Sequence, residues 1–161
     1  MSITEQDVQE LVATLDQGRA RWINGHGEFT DDSPVRQADD MTIFGPFGGL
    51  GPRPGSVTAE QLSAGQASIS AQFHGGDGSC EVIQTIAEGD LVIVMMIERS
   101  TVTFQALDGR KPWVLRTTQV FRKMPDGWLR IHLHLDPLIG PRSLVATLAL
   151  FDGARPTTSV S

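Results

Sequence analysis

The stretch Trp128-Leu129-Arg130-Ile131-His132-Leu133-His134-Leu135-Asp136 alternates without a break. Successive side chains of a strand point to opposite faces of its sheet. Trp128, Arg130, His132, His134 and Asp136 therefore share one face, and Leu129, Ile131, Leu133 and Leu135 the other. A back that is apolar throughout belongs to a covered strand, and an ionisable front on such a strand reads as the lining of a small-molecule pocket. The expectation is that His132, His134 and Asp136 meet there.

Working outward, Pro125-Asp126-Gly127 turns into this strand from Pro112 to Lys123. Asp108-Gly109, a strong short hairpin signal, joins that strand to a long one, Leu91 to Leu107. A two-residue turn predicts Leu107 opposite Arg110, Val102 opposite Leu115 and Glu98 opposite Gln119. Met96, Glu98, Ser100, Val102 and Phe104 then share a face with Trp113, Leu115, Thr117 and Gln119. Upstream, Glu88-Gly89-Asp90 turns from a strand Cys80 to Ala87.

The first half has helical spacing instead. Val8, Leu11, Val12, Leu15, Arg19 and Trp22 form one stripe of a helix from Thr4 to Trp22, with Thr4 and Asp7 spaced as an N-cap opening and Asn24-Gly25 as its end. Residues 27–40 read as a loop or broken helix, Met41 to Phe44 as a short strand, and the Gly/Pro-rich stretch to Gly55 as a long loop bordering a site. Ser56 to Phe73 reads as a second helix, capped by Ser56 or Thr58 and stopped by Gly75-Gly76. Ser143 to Phe151 is a short apolar helix and residues 152–161 a tail. Helices followed by a run of antiparallel strands indicate α+β, in one domain over residues 1–161.

The chain has 161 residues, 40% apolar and 20% charged, enough for one core. A net charge of −6 argues against a nucleic-acid partner. No apolar run approaches the ~20 residues of a membrane span, and residues 1–17 lack the basic start and apolar run of a signal peptide. A cytoplasmic location is the expectation. The single cysteine, Cys80, excludes an internal disulfide and cysteine-based metal clusters, and the absence of tyrosine excludes any phenol as acid or oxyanion donor.

The order helix, broken helix, Asp39-Asp40-Met41-Thr42-Ile43-Phe44-Gly45-Pro46-Phe47-Gly48, helix, strands, then Arg116-Thr117-Thr118-Gln119-Val120-Phe121-Arg122, Asp126-Gly127-Trp128 and His132-Leu133-His134-Leu135-Asp136, resembles a SnoaL-like member of the nuclear transport factor 2-like superfamily, over residues 5 to 137. Ketosteroid isomerases, scytalone dehydratase, limonene epoxide hydrolase, polyketide cyclases and hexachlorocyclohexane dehydrochlorinase share that fold. The resemblance implies a curved antiparallel sheet around a conical pocket closed by helices, and a homodimer through the outer sheet face. It places Gln119 where the isomerases carry an oxyanion-stabilising carboxylic acid, and His132, His134 and Asp136 on pocket-lining positions. It implies an outer face of Met95, Ile97, Arg99, Val114, Arg116, Thr118, Val120, Leu129, Ile131, Leu133 and Leu135. The isomerases' general base falls on Gly45 and their tyrosine on Leu11, so the familiar isomerase route is not expected. The epoxide hydrolase's Arg-Asp-Asp set is not recognisable. The dehydrochlorinase's histidine corresponds to His74, but its partner aspartate falls near Asn24.

The candidate acid–base groups are therefore His132 and His134, oriented by Asp136, together with Glu98 in an apolar cavity and His74 at the pocket mouth. Arg130 and Gln119 are candidates for steadying an oxyanion. Thr117, Leu115, Trp113, Met96, Phe44, Phe47, Trp22 and Trp128 are the remaining candidate lining, aromatic ones for stacking. His-x-His-x-Asp could hold a metal, yet nothing else completes such a motif, and neither metal nor cofactor is expected. The reading is a cofactor-independent lyase, dehydratase or isomerase acting on an apolar aromatic or cyclic substrate. Its alternatives are a non-catalytic hydrophobic-ligand-binding or assembly domain, in which the ionisable face is a structural polar ladder, and an epoxide-hydrolase-like hydrolysis by activated water.

Overall fold

The computed structural model describes residues 2–47, 51 and 53–152. The tail at 157–161 and residues 48–50 of the glycine-rich loop lie outside them. Helix α1 spans Glu5–Ile23, strand β1 Val35–Phe44, helix α2 Ala59–Ser70, and strands β2 to β5 Phe73–Glu88, Leu91–Phe104, Arg110–Met124 and Gly127–Pro137. A short helix α3, Leu144–Leu148, and one 3-10 turn, Ala149–Phe151, follow. The fold class is α+β, with one mostly antiparallel sheet in the order β1-β5-β4-β3-β2, the two helices packed on one face of it.

The predicted caps form. Thr4 Oγ1 accepts from the Asp7 amide while Asp7 accepts from the Thr4 amide, and Thr58 with Gln61 repeats the box on α2. Both boxes satisfy amides that a helix N-terminus leaves free. α1 buries Leu11, Leu15, Arg19 and Ile23 against the sheet. Leu11, Leu15, Val92, Val94, Met96, Phe121 and Trp128 make one core cluster, and Ile23, Phe73 and Val102 a second.

Four boundaries differ from those the sequence suggested. β1 begins at Val35 rather than Met41 and runs parallel to β5, with Val35 opposite Trp128. Its polar, acidic first half carries no alternation because the strand bulges between Gln37 and Thr42, and Asp39 turns aside to accept from the Ala59 amide at the start of α2. α2 ends at Ser70, and β2 starts at Phe73, so Gly75 and Gly76 lie within a strand and do not stop a helix. β2 is correspondingly longer than Cys80 to Ala87. The β3–β4 turn is wider than two residues: the Gln105 amide donates to the Gln72 carbonyl, pairing ends at Thr103 opposite Arg110, and Gly109 takes φ +71° within the loop.

That wider turn puts Glu98 opposite Leu115 and Val94 opposite Gln119. The register is displaced by four residues from the expected one. An even displacement preserves the faces, so Met96, Glu98, Ser100 and Val102 still share the inward face with Trp113, Leu115, Thr117 and Gln119.

Candidate functional site

Between the sheet, α1, α2 and the loop after β1 lies a cavity of about 390 Å³, within the roughly 300–1,000 Å³ of small-molecule sites. Its apolar wall includes Ile43, Leu62, Ile69, Trp113, Leu115 and Leu133. Its charged end is Arg19, Glu28 and Glu98, with Gln119 beside them.

β5 delivers a different set of residues to this cavity than its sequence suggests. A bulge interrupts its pairing with β4: Phe121 faces Arg130, yet Val120 faces His132, and Ile131 is the extra residue. One inserted residue reverses the phase of alternation. Before the bulge Trp128 and Arg130 point inward and are buried; after it Leu133 and Leu135 do, both lining the cavity. His132, His134 and Asp136 are consequently on the outer face, a correction to the expectation that they line the pocket. His132 Nδ1 is 2.6 Å from Thr42 Oγ1, His134 Nε2 is 3.4 Å from Asp136, and Arg116 donates to Asp136 at 3.1 Å. Phe44 stands edge-on to both imidazoles, with ring centroids 5.7 Å from each, and so is also outside the cavity. Burial and the neighbouring His134 lower the His132 pKa. His132, His134 and Asp136 are thus joined outside the cavity, while Arg130, the fourth member of the expected polar ladder, is on the opposite face; no group of three or more His, Cys, Asp or Glu able to hold a metal occurs among the described residues.

The other candidates divide. Glu98, Gln119, Trp113, Leu115, Phe47 and Trp22 border the cavity. Met96 and Trp128 are core, the latter beneath the Lys123 ammonium at 4.7 Å. Thr117 is buried on the inward face but does not border the cavity, and its Oγ1 has no partner among the described residues. His74 is exposed on β2, away from the cavity, because α2 ends before it. Leu11 is core, while Gly45 does line the cavity, where a side chain would meet nothing within 4 Å.

Arg130 is fully buried behind the cavity wall and grips Glu28 through two hydrogen bonds of 2.8 and 2.6 Å, a bidentate pair of the strong kind. It also donates to Gln119 Oε1 at 3.0 Å. That bond fixes the Gln119 amide so that its NH2 is left to donate elsewhere. Arg19 is similarly engaged, by Asp16 at 3.0 Å, Ser100 Oγ at 3.2 Å and the Gly78 carbonyl at 2.9 Å. Only glycine fits position 78, since a Cβ would strike the Arg99 carbonyl.

Glu98 differs from all of these. It takes part in no side-chain hydrogen bond or ion pair among the described residues, though it faces the cavity between the two arginine clusters. Its pKa rises to about 7, mainly through burial and then through Glu28, against the pull of Arg19 and Arg130. Cys80 is inert, its thiol pushed up to about 12 by burial and by the carboxylates of Glu98 and Asp16. Arg19 and Glu28 were not foreseen as site residues. Arg19 had a signal, a cation on an otherwise apolar stripe; Glu28 sits in an acidic loop with nothing to single it out.

No protein-family model and no curated protein matches the sequence. Solved structures do. A proposed dehydratase of the nuclear transport factor 2-like family from Streptomyces avermitilis superposes with a TM-score of 0.62 at 17% identity, over 85% of this chain and 100% of that one. The fold is nuclear transport factor 2-like. A ketosteroid isomerase-like protein from Erwinia carotovora atroseptica gives 0.60 at 17% identity, over 86% and 100% of the two chains. A nuclear transport factor 2-like superfamily protein from Salmonella enterica gives 0.57 at 14%, over 88% and 96%. At these identities the likeness is one of fold, which hosts unrelated chemistries.

Proposed function

We propose that this nuclear transport factor 2-like protein is a cofactor-independent enzyme that moves a proton on a small, largely apolar, ring-bearing substrate, with Glu98 as the acid–base group. The observation that carries this reading is a carboxyl left unpaired, among the described residues, in an apolar cavity whose other charged side chains, Arg19 and Glu28, are engaged. Burying an ionisable group without a partner costs free energy, and a pKa of about 7 suits a general base near neutral pH.

In the step that fits, the Glu98 carboxylate takes a proton from a carbon next to a carbonyl, and the electron pair moves onto the carbonyl oxygen. The free NH2 of Gln119 donates to that oxygen, and Arg130 is a positioning residue that holds the amide. Return of the proton to another carbon completes an isomerisation; departure of a β-substituent completes an elimination. The similar dehydratase-like and isomerase-like folds are consistent with either outcome.

The test is exchange of carbon-bound hydrogen for deuterium in a panel of cyclic and aryl ketones, followed by NMR. Exchange by the wild type, reduced at least about a hundredfold in Glu98→Gln, supports the reading. Ligands that bind the cavity without any exchange favour the non-catalytic binding domain instead. We further propose that the outer face seats a second copy of the chain, on the half-buried apolar rows of Met95, Ile97, Val114 and Val120. Ile97→Asp is then expected to shift the sedimenting species to a monomer.

A further inference from the structure

Beside the cavity, at the open end of the sheet, is a cleft of about 440 Å³. The two share Phe47, Ile69 and Trp113 as walls. The inward row of β4 runs Gln119, Thr117, Leu115, Trp113, Lys111, so one continuous face passes from the polar end of the cavity into the cleft. Lys111 is its last member and, among the described residues, the one cation bordering the cleft.

We propose that cavity and cleft form one site for an elongated amphipathic carboxylic acid, its ring-bearing end beside Glu98 and its carboxylate at Lys111. This deepens, and rests on, the reading of the cavity as a small-molecule site.

Charge fixes the orientation. Inside, both guanidiniums are already held, Arg19 by Asp16 and Arg130 by Glu28, and Glu28 and Glu98 repel an incoming anion. Lys111 is in no ion pair among the described residues, so its ammonium is left to meet the carboxylate of a ligand. Register fixes the length. Glu98 is opposite Leu115, and Val102, four residues further along β3, is opposite Lys111. At the rise of a strand, that separates the two groups by about 13 Å. The apolar lining fits a chain between them: Phe73, Val102, Phe104 and Trp113 floor the cleft, while Phe47 and Leu107 at its rim are 67% and 53% exposed and would be covered by the ligand.

The experiment is titration calorimetry with ω-phenylalkanoic acids of rising length and their methyl esters, on the wild type, Lys111→Met and Lys111→Arg. Affinity is expected to climb with length until the carboxylate reaches about 13 Å from the ring. There the acid should bind about tenfold better than the ester. Lys111→Met removes that preference and Lys111→Arg keeps it. If affinity does not rise with length, or Lys111→Met leaves the acid preference unchanged while short phenyl compounds still bind, the extended site is wrong and the cavity reading stands. If no member of the series binds, both are wrong.

Discussion

Arg130 and His132, two residues apart on the last strand, point to opposite faces of the sheet. Regular alternation would put them on the same one. The extra residue, Ile131, lets Arg130 pair opposite Phe121 and His132 opposite Val120, and everything after it changes side. The make-up of the cavity follows from this one irregularity: an apolar wall of Leu133 and Leu135 stands where two imidazoles were expected, and Glu98 is left as the unpaired carboxyl lining the cavity among the described residues.

The outer-face placement makes the two histidines dispensable for the cavity. His132→Ala and His134→Ala are expected to leave the affinity of a cavity-bound phenyl ligand within about twofold of wild type, since substitutions away from a site act weakly. A tenfold loss in either variant, measured by calorimetry with the fold intact by circular dichroism, would return them to the site.

Glu98 sets a pH dependence of stability. Its pKa is about 7 in the folded protein against 4.5 as the reference value. The folded state therefore holds its proton more tightly than the unfolded chain does. Stability is unaffected below the unfolded pKa and falls as pH rises through the folded one. Glu98→Gln should accordingly gain on wild type between pH 4.5 and pH 8, by about 3 kcal/mol at most. Urea denaturation at the two pH values measures it, and an equal difference at both would mean the carboxyl is not perturbed.

Arg130 and Glu28 are expected to behave as a unit. Arg130→Met leaves Glu28 and the Gln119 carbonyl without their donor and should cost about 3–5 kcal/mol, as breaking a buried pair does. The double variant Arg130→Met/Glu28→Leu should recover most of that loss, because an apolar replacement of both partners carries no orphaned charge. Additive losses in a denaturation cycle would show that the pair is not coupled. Arg130→Lys, which keeps the charge but not the fork, should fold and retain Gln119 poorly oriented.

On the outer face, His132 has a lowered pKa, so the folded state binds its proton less readily than the unfolded chain. Its contribution is intact above the ordinary imidazole value of 6.5 and is lost as pH falls below it. Glu98 changes stability in the opposite sense over part of the same range, so the comparison must be between variants. The melting temperature of His132→Asn should drop less than that of wild type between pH 7 and pH 5. Parallel curves would rule out the effect.

Much of the architecture was legible because it rests on local signals. The helix caps at Thr4 and Thr58 are short-range hydrogen-bond patterns, and the strand faces of β3 and β4 follow from a period of two that an even register displacement cannot disturb. For that reason Glu98, Gln119, Trp113 and Leu115 are on the inward face that the alternation gave them. His74 was misplaced because Gly75-Gly76 resembles a helix stop, whereas the chain uses those glycines inside β2.

The sequence by itself determined the order of elements, the two capped helices and which residues of β3 and β4 look inward, since each depends on neighbours a few positions apart. Only the tertiary structure decided which half of β5 faces the cavity and which partners hold Arg19 and Arg130. A bulge is a property of two strands fitted together: β5 gains its extra residue only against β4. The Arg130–Glu28 pair joins residues 102 positions apart, and only packing brings such residues together.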